Sequence, residues 1–420
     1  MKKIILFFIL VITSFGFSQS TNQEVGKKFI NDFLVDNNIK QSYSYFDENL
    51  KSKLTEVVLL ETLRTLEKQL GKFKSVLETN SVKETYYYYS DFEKTKLDIK
   101  LSFNGANKII GFYFSPRKDF KTEIRLGKEL TIASNGLNLN GTLLVPEKDN
   151  LKKLVIFVHG SGANDRDEKI YENKPFKDIA EGLYQKGIAT YRFDKRTFTF
   201  PESFTAKSTV DDEVTTDVVN IVNYFKKDTQ FSGYEIIVLG HSLGAHLLPR
   251  IANKTSNLSK IILLAGNARP LGQLLIEQYE YLYSLNATEE LKNELKEVRE
   301  QVKFLNSKAF NLNVPNTKLP LNQSAYYWQS IISYNPLKEV QKVKIPILIL
   351  QGERDYQVTM VDFNLWKKAL EKNKKATFIS YPILNHSFMS GVGKATPNEY
   401  TIKNNVDSKA IDDIFLFISK

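Results

Sequence analysis

The chain has 420 residues, 42% hydrophobic and 25% charged, enough for two or three globular domains; this balance fits neither a disordered chain nor a polytopic membrane protein. With no cysteine, it can carry no disulfide scaffold, thiol nucleophile, thiolate zinc site or lipidated bacterial leader, and four histidines almost exclude a His-rich metal site. The net charge of +10 is spread along the sequence without a dense basic block, which suits solubility and attraction to acidic surfaces and argues against nucleic-acid binding.

Lys2 and Lys3 precede an apolar run from Ile4 to Ile12 and then small and polar residues, the layout of a cleavable secretory signal over residues 1–20. That run is well short of the roughly 20 residues a bilayer span needs, so cleavage near Gln19 is expected in place of a transmembrane anchor. No later stretch is long enough to span. The mature chain is therefore expected to be soluble and extracytoplasmic, periplasmic or secreted.

Residues 21–117 read as helices followed by strands. Val25, Phe29 and Phe33 form one apolar stripe on a first helix. Leu50, Leu54, Val57, Val58, Leu66 and Leu70 sketch a second helical region that Gly71 can close. The period then changes to two. Leu97, Ile99, Leu101 and Phe103 alternate with polar residues, Asn104-Gly105 supplies a hairpin turn, and Ile109 to Phe114 returns. The run Tyr86 to Tyr89 suits a strand wet on one face. This small α+β order resembles the cone-shaped domains of the nuclear-transport-factor-like class. The resemblance implies a module that binds, orients or dimerises, making a homodimer through this domain one expectation.

Residues 120–420 alternate strand and helix, which predicts an α/β domain with a mostly parallel sheet covered by helices on both faces. Leu137 to Val145 reads as an early antiparallel strand, and Leu154 to Val158 as a strand buried on both faces. Helices are expected at Asp178–Lys186 and Val210–Lys227. Further strands follow at Ile188–Phe193, Glu235–Leu239, Ile261–Leu264, Ile345–Leu350 and Thr377–Tyr381, with a last helix at Val406–Ser419. Between Asn267 and Tyr334 no strand-like run occurs. Leu291, Leu295, Val298, Val302 and Leu305 share a helical face there, which points to a helical cap insertion at about 267–334.

Chemistry-bearing residues sit where strands end. Gly240-His241-Ser242-Leu243-Gly244 follows a buried strand and precedes a helix, the G-x-S-x-G elbow that holds a serine clear of the sheet. In a chain of this composition the pattern arises by chance about 0.07 times. A serine needs a base. His159 and His241 belong to tight turns and His246 points along the helix, leaving His386 on the loop after the last strand. The orienting acid is expected at Asp355, just past IPILIL, with Glu353 the competitor. His159-Gly160-Ser161-Gly162 can turn backbone amides into a concavity, so Ser161 and Leu243 are the expected oxyanion donors.

With these residues in place the second unit resembles the α/β-hydrolase superfamily. More closely it is similar to secreted bacterial carboxylesterases related to dienelactone hydrolases and serine-aminopeptidase-like hydrolases. The matching segments are HGSGANDRDE (159–168), YRFDKR (191–196), GHSLGA (240–245), LLAGNARPL (263–271), ILQGERDYQV (349–358) and LNH (384–386). The resemblance implies an α/β-hydrolase fold and a serine esterase acting on a small-molecule ester of a small or medium acyl group, with catalytic Ser242, Asp355 and His386 and no metal or cofactor. It also flags Asp165, Arg166, Asp167, Arg192 and Asp194, read as an ion-pair network shaping the entrance. Relatives place a glycine after the DKR segment where this chain has Thr197-Phe198-Thr199-Phe200-Pro201, so the pocket wall there is expected to differ.

Two other readings remain open at this stage. An exopeptidase or amidase would use the same triad and need an acidic anchor for a substrate amine, for which Glu277 and Glu280 are candidates. A binding protein with an inactive hydrolase domain would leave the N-terminal module as the working part.

Overall fold

The computed structural model describes residues 15–82, 84–117, 126–256 and 258–420, and side chains from Asn22 onward. Most of the expected leader, residues 1–20, lies outside the described residues. The chain divides into two compact units, Met1–Arg125 and Leu126–Lys420.

The first unit runs α1 (Phe15–Leu34), α2 (Ile39–Ser44), α3 (Glu48–Lys53) and α4 (Glu56–Leu70). An antiparallel meander follows, made of β1 (Phe73–Val82), β2 (Thr85–Phe92), β3 (Lys96–Phe103) and β4 (Ile109–Ser115). Phe29 and Phe33 are fully buried among Phe46 and Phe112, as the helical stripe requires. Along β2, Tyr86 and Tyr88 point into this core while Tyr87 and Tyr89 are half-buried on the other face. The region expected as one helix over Leu50–Leu70 is two. Thr55 caps α4 by accepting from the Val58 amide, and this start turns Val57 and Val58 to solvent and buries Leu59 and Leu63 instead. Gly71 ends α4 at φ 76°, where a side chain would be strained. The edge strand β1 escapes sequence reading because two register shifts break its alternation.

The second unit opens with β5 (Lys128–Ser134), β6 (Leu137–Leu144), β7 (Lys153–Val158), α5 (Pro175–Tyr184), β8 (Ala189–Phe193) and α6 (Arg196–Thr199). A π turn at Asp211–Thr215 leads into α7 (Thr216–Lys227). Then come β9 (Glu235–His241), α8 (Leu243–Lys254) and β10 (Lys260–Leu264). Four helices follow without a strand: α9 (Leu271–Leu285), α10 (Glu289–Leu305), α11 (Ala325–Ile332) and α12 (Pro336–Val340). The chain closes with β11 (Ile347–Gly352), α13 (Met360–Ala369), β12 (Ala376–Tyr381) and α14 (Ser408–Ser419). Two expected helix starts differ. Pro175 opens α5 three residues before Asp178, and the helix expected from Val210 begins as a π turn.

The sheet order is β12-β11-β10-β9-β7-β8-β6-β5. Within this sheet, among the described residues, only β5/β6 and β6/β8 pair antiparallel. Alternate residues of each central strand enter two separate cores. In β7, Leu154, Ile156 and Val158 belong to one face and Val155 and Phe157 to the other. Both faces are covered, which is why these strands are continuous apolar runs. The connection from β7 goes to β8 on one side, and the chain then returns to β9 on the other. The crevice outside the carboxyl ends of β7 and β9 is thus the topological switch point, where ligands bind in such sheets.

Candidate active site

Ser242 sits between β9 and α8 at φ 52° and ψ −116°, a conformation that costs about 1–3 kcal/mol and persists because its surroundings over-determine it. Its amide donates to Leu264 O (2.9 Å), and its carbonyl accepts from the His246 amide (2.9 Å). The two elbow glycines are required by close approach. A Cβ on Gly240 would lie 2.6 Å from the Gly244 carbonyl carbon, and one on Gly244 would lie 2.3 Å from Val158 O. The elbow is thereby pressed onto the end of β7 with its serine at the N-terminus of α8, where the helix field favours negative charge.

Asp355 lies just past β11, and His386 on the loop after β12. Asp355 Oδ2 is 2.6 Å from His386 Nδ1. The carboxylate also accepts from the amides of Gln357 (2.8 Å) and Val358 (3.0 Å) and from Gln351 Nε2 (3.0 Å), so it is held at both oxygens. Glu353, the competing acid, accepts instead from the Ser380 hydroxyl (2.8 Å) and is turned away. The two loops are packed together by Gly352, where a Cβ would meet Leu384 O at 2.4 Å. The histidine loop is stiffened by Asn385 Oδ1, which accepts from the Ser387 and Met389 amides.

Ser242 and His386 line one cavity of ≈ 680 Å³ with Gly160, Ser161 and Leu243. Among the described residues no hydrogen bond joins the side chains of Ser242 and His386, and hydrogen bonds of this kind tighten in many enzymes only with substrate. The amides of Ser161 and Leu243 have no protein acceptor among the described residues. Leu271, Leu274, Leu275 and Val358 supply an apolar wall, and the segment after β8 contributes Thr197, Pro201 and Phe204. Among the described residues, no group of three or more His, Asp or Glu side chains is placed to hold a metal ion.

Several residues of the site were not singled out by sequence reasoning. Lys195, 2% exposed, donates to Gly160 O (2.8 Å) and Gly162 O (2.9 Å) and pairs with Glu213 from the π turn. Glu213 in turn accepts from Tyr327 of α11 (2.6 Å). In a trans peptide the N–H points opposite to the C=O. Lys195 on Gly160 O therefore fixes the plane of the Gly160–Ser161 peptide and the direction of the Ser161 amide. The one available signal was a lysine two residues after a fully buried strand; Glu213 and Tyr327 looked like ordinary amphipathic positions.

The flagged charges do pair. Arg166 bridges Asp194 (2.7 Å) and Glu129 (2.7 Å), and Arg192 bridges Asp167. Asp165 instead accepts from the Asp167 and Lys169 amides. None of these five lines the cavity; Asn164 and Glu168 do. Glu277 and Glu280, the candidate amine anchors, are tied to Arg269 (2.5 Å) and Arg299 (2.6 Å) and line no part of it.

An eight-stranded, mostly parallel sheet with a serine elbow after β9, an acid after β11 and a histidine after β12 defines an α/β hydrolase. Family models agree in segments: residues 149–312 match "Serine aminopeptidase, S33", 316–411 match the dienelactone hydrolase family, and 27–112 match a protein family of unknown function, DUF3887. Esterase EstD of Thermotoga maritima is 32% identical over 399 residues, covering 92% of this chain and 93% of that protein. The chain belongs to that esterase family within the α/β-hydrolase superfamily. Among solved structures, Est1E from Butyrivibrio proteoclasticus is 19% identical with a TM-score of 0.47, covering 70% of this chain and 99% of its own. Proline iminopeptidase of Mycobacterium smegmatis is 13% identical with a TM-score of 0.47, covering 70% and 98%.

Proposed function

We propose that the chain is a serine carboxylesterase acting on esters of small or medium acyl groups through an acyl-enzyme. The observation that carries this reading is the 2.6 Å contact between Asp355 and His386 beside the cavity that Ser242 also lines. Ser242 Oγ attacks the ester carbonyl while His386 takes its proton, and Asp355 stabilises the imidazolium. The Leu243 and Ser161 amides hold the oxyanion, each worth about 10²–10³ in rate. His386 returns the proton to the leaving alcohol, and water then releases the acid by the same steps.

An ester is favoured over an aminoacyl substrate by the charges. The two carboxylates lining the cavity are both engaged, Glu168 with His241 and the Gly160 amide, and Glu213 with Lys195 and Tyr327. Neither is free to anchor an ammonium. The apolar wall of α9 suits an acyl chain.

A burst with p-nitrophenyl acetate or butyrate is expected, and Ser242→Ala should lose it with a fall of about 10⁶-fold in kcat. Undiminished turnover in that variant, or faster turnover of aminoacyl-p-nitroanilides than of matched esters by the unaltered enzyme, would overturn the reading. The charged and apolar pattern of residues 1–12 also supports an extracytoplasmic enzyme released from its leader. N-terminal sequencing of the exported protein should begin near Gln19.

A further inference from the structure

His241, the second residue of the elbow, is buried directly behind the catalytic histidine, with ring centroids 4.6 Å apart. Its Nε2 lies 2.9 Å from His386 O, and its Nδ1 lies 2.9 Å from Glu168 Oε2, off the line of a straight hydrogen bond. The other oxygen of Glu168 accepts from the Gly160 amide at 2.6 Å. A buried path therefore runs from the loop after β7, through Glu168 and His241, to the peptide attached to His386.

We propose that Glu168 and His241 form a positioning pair that holds the oxyanion loop and the His386 loop in register across the elbow. The inference rests on Ser242, Asp355 and His386 being the reacting groups. The loops come from distant stretches of sequence. Of the groups on them, Ser161 must meet the developing oxyanion and His386 must meet the serine proton. Glu168 fixes the His159–Gly160 peptide, and Lys195 fixes the next one from its carbonyl side. His241 fixes the His386–Ser387 peptide.

Charge completes the device. Burial disfavours an imidazolium at His241, but the Glu168 carboxylate outweighs it and raises the ring above the usual histidine range. Burial likewise opposes the Glu168 anion, and the charge of His241 and its contacts hold its carboxyl below the usual range. Asp355 and His386 also face His241, His159 faces Glu168, and α5 presents the ring of Phe176. An imidazolium at His241 carries a proton on each nitrogen, so it can serve Glu168 by charge at 2.9 Å and His386 O by a hydrogen bond together. A buried ion pair is seldom a net gain in stability over apolar packing, whereas breaking one leaves an unpaired charge. Fixing register is its use here.

The test compares Glu168→Ala, Glu168→Gln and His241→Phe in the full chain, with folding checked by circular dichroism and thermal melting. Loss of register by about 1 Å should lower kcat for p-nitrophenyl butyrate about 10²-fold in Glu168→Ala and His241→Phe, with KM within about two-fold and fluorophosphonate labelling of Ser242 slowed in parallel. Glu168→Gln keeps an acceptor for Gly160 and leaves His241 able to donate to His386 O, so it should recover at least about ten-fold of that loss. Ring-nitrogen NMR of the four histidines should show the imidazolium signature of His241 at neutral pH, and its absence in Glu168→Gln. Wild-type kcat in folded Glu168→Ala, with Ser242→Ala dead, overturns the positioning pair alone. Full activity in Ser242→Ala overturns the pair and the esterase reading together. Should Glu168→Ala not fold, a Glu168→Gln enzyme no better than His241→Phe also overturns the pair.

Discussion

The loops at the strand ends and the helical segment between β10 and β11, through α9 and α11, border the same cavity but are built by different physics. The loops are held at the site by buried groups: Lys195 on two carbonyls and Glu213, Asp355 on two amides and a histidine, and Gly240 and Gly244 at backbone contact. The helices are held by Leu295, Val298, Val302 and Leu305 on one face of α10 and by exposed ion pairs such as Arg299 with Glu280, both about half exposed. Pairs of that kind contribute about 0–1 kcal/mol. In the proposed mechanism the atoms that must sit within a fraction of an ångström are therefore on the rigid side, and the wall proposed to select substrate is assembled largely from contacts that tolerate replacement.

The sharpest way to break this contrast is at Asp355. Asp355→Asn keeps the size of the side chain but turns the His386 imidazole to the wrong tautomer, and kcat should fall about 10⁴-fold with little change in melting temperature. A loss below about ten-fold would mean that the loop geometry does not carry the rate.

A second test uses acid. His159, on the loop after β7, and His246, in the first turn of α8, are buried and neutral, and burial lowers both to about 4. His246 donates through Nδ1 to Asn267 O (2.8 Å), where the chain leaves for the helical segment. Because the folded values lie below the ordinary one, the unfolded chain binds more protons across this window. Stability is full above about pH 6.5 and falls as pH drops towards 4. His241 works in the opposite sense, losing its contribution only as pH rises through its raised value. The melting temperature should thus fall between pH 7.5 and pH 5, and fall less in His246→Gln. An equal fall in that variant would remove His246 from the account.

The same contrast explains what could be read from the sequence. The serine elbow, the acid after β11 and the histidine after β12 were legible because each is a short local pattern forced by backbone geometry. Continuous apolar runs gave the central strands because both faces of the sheet are covered. Lys195, Glu168 and His241 lay inside recognisable segments, yet most of their partners come from other loops and turns, and no local pattern announces a contact across 18 or 145 residues. The edge strands β1 and β5 carry broken or half-wet patterns, and Val57 and Val58 were misplaced because the cap at Thr55 resets the helix phase. Which residues of the helical segment face the cavity was beyond periodicity, since α9 buries Leu274 and Leu275 against the site while α10 packs behind it.

The smallest expected effect is on that tolerant side. Leu274 of α9 is 2% exposed and lines the cavity. Leu274→Trp fills part of the ≈ 680 Å³ and leaves every strand-end loop untouched. Methylene-scale discrimination in an apolar pocket is worth about 1–3 kcal/mol, so kcat/KM for p-nitrophenyl octanoate should fall about ten-fold relative to acetate. The rate on acetate should stay within a few-fold, because the proposed triad and oxyanion amides rest on other elements. If acetate and octanoate lose activity equally, the helix is setting reaction geometry as well as chain length, and the division between the two regions is wrong. If neither changes, the acyl group lies along another wall, and the Val358 side of the cavity becomes the place to repeat the substitution.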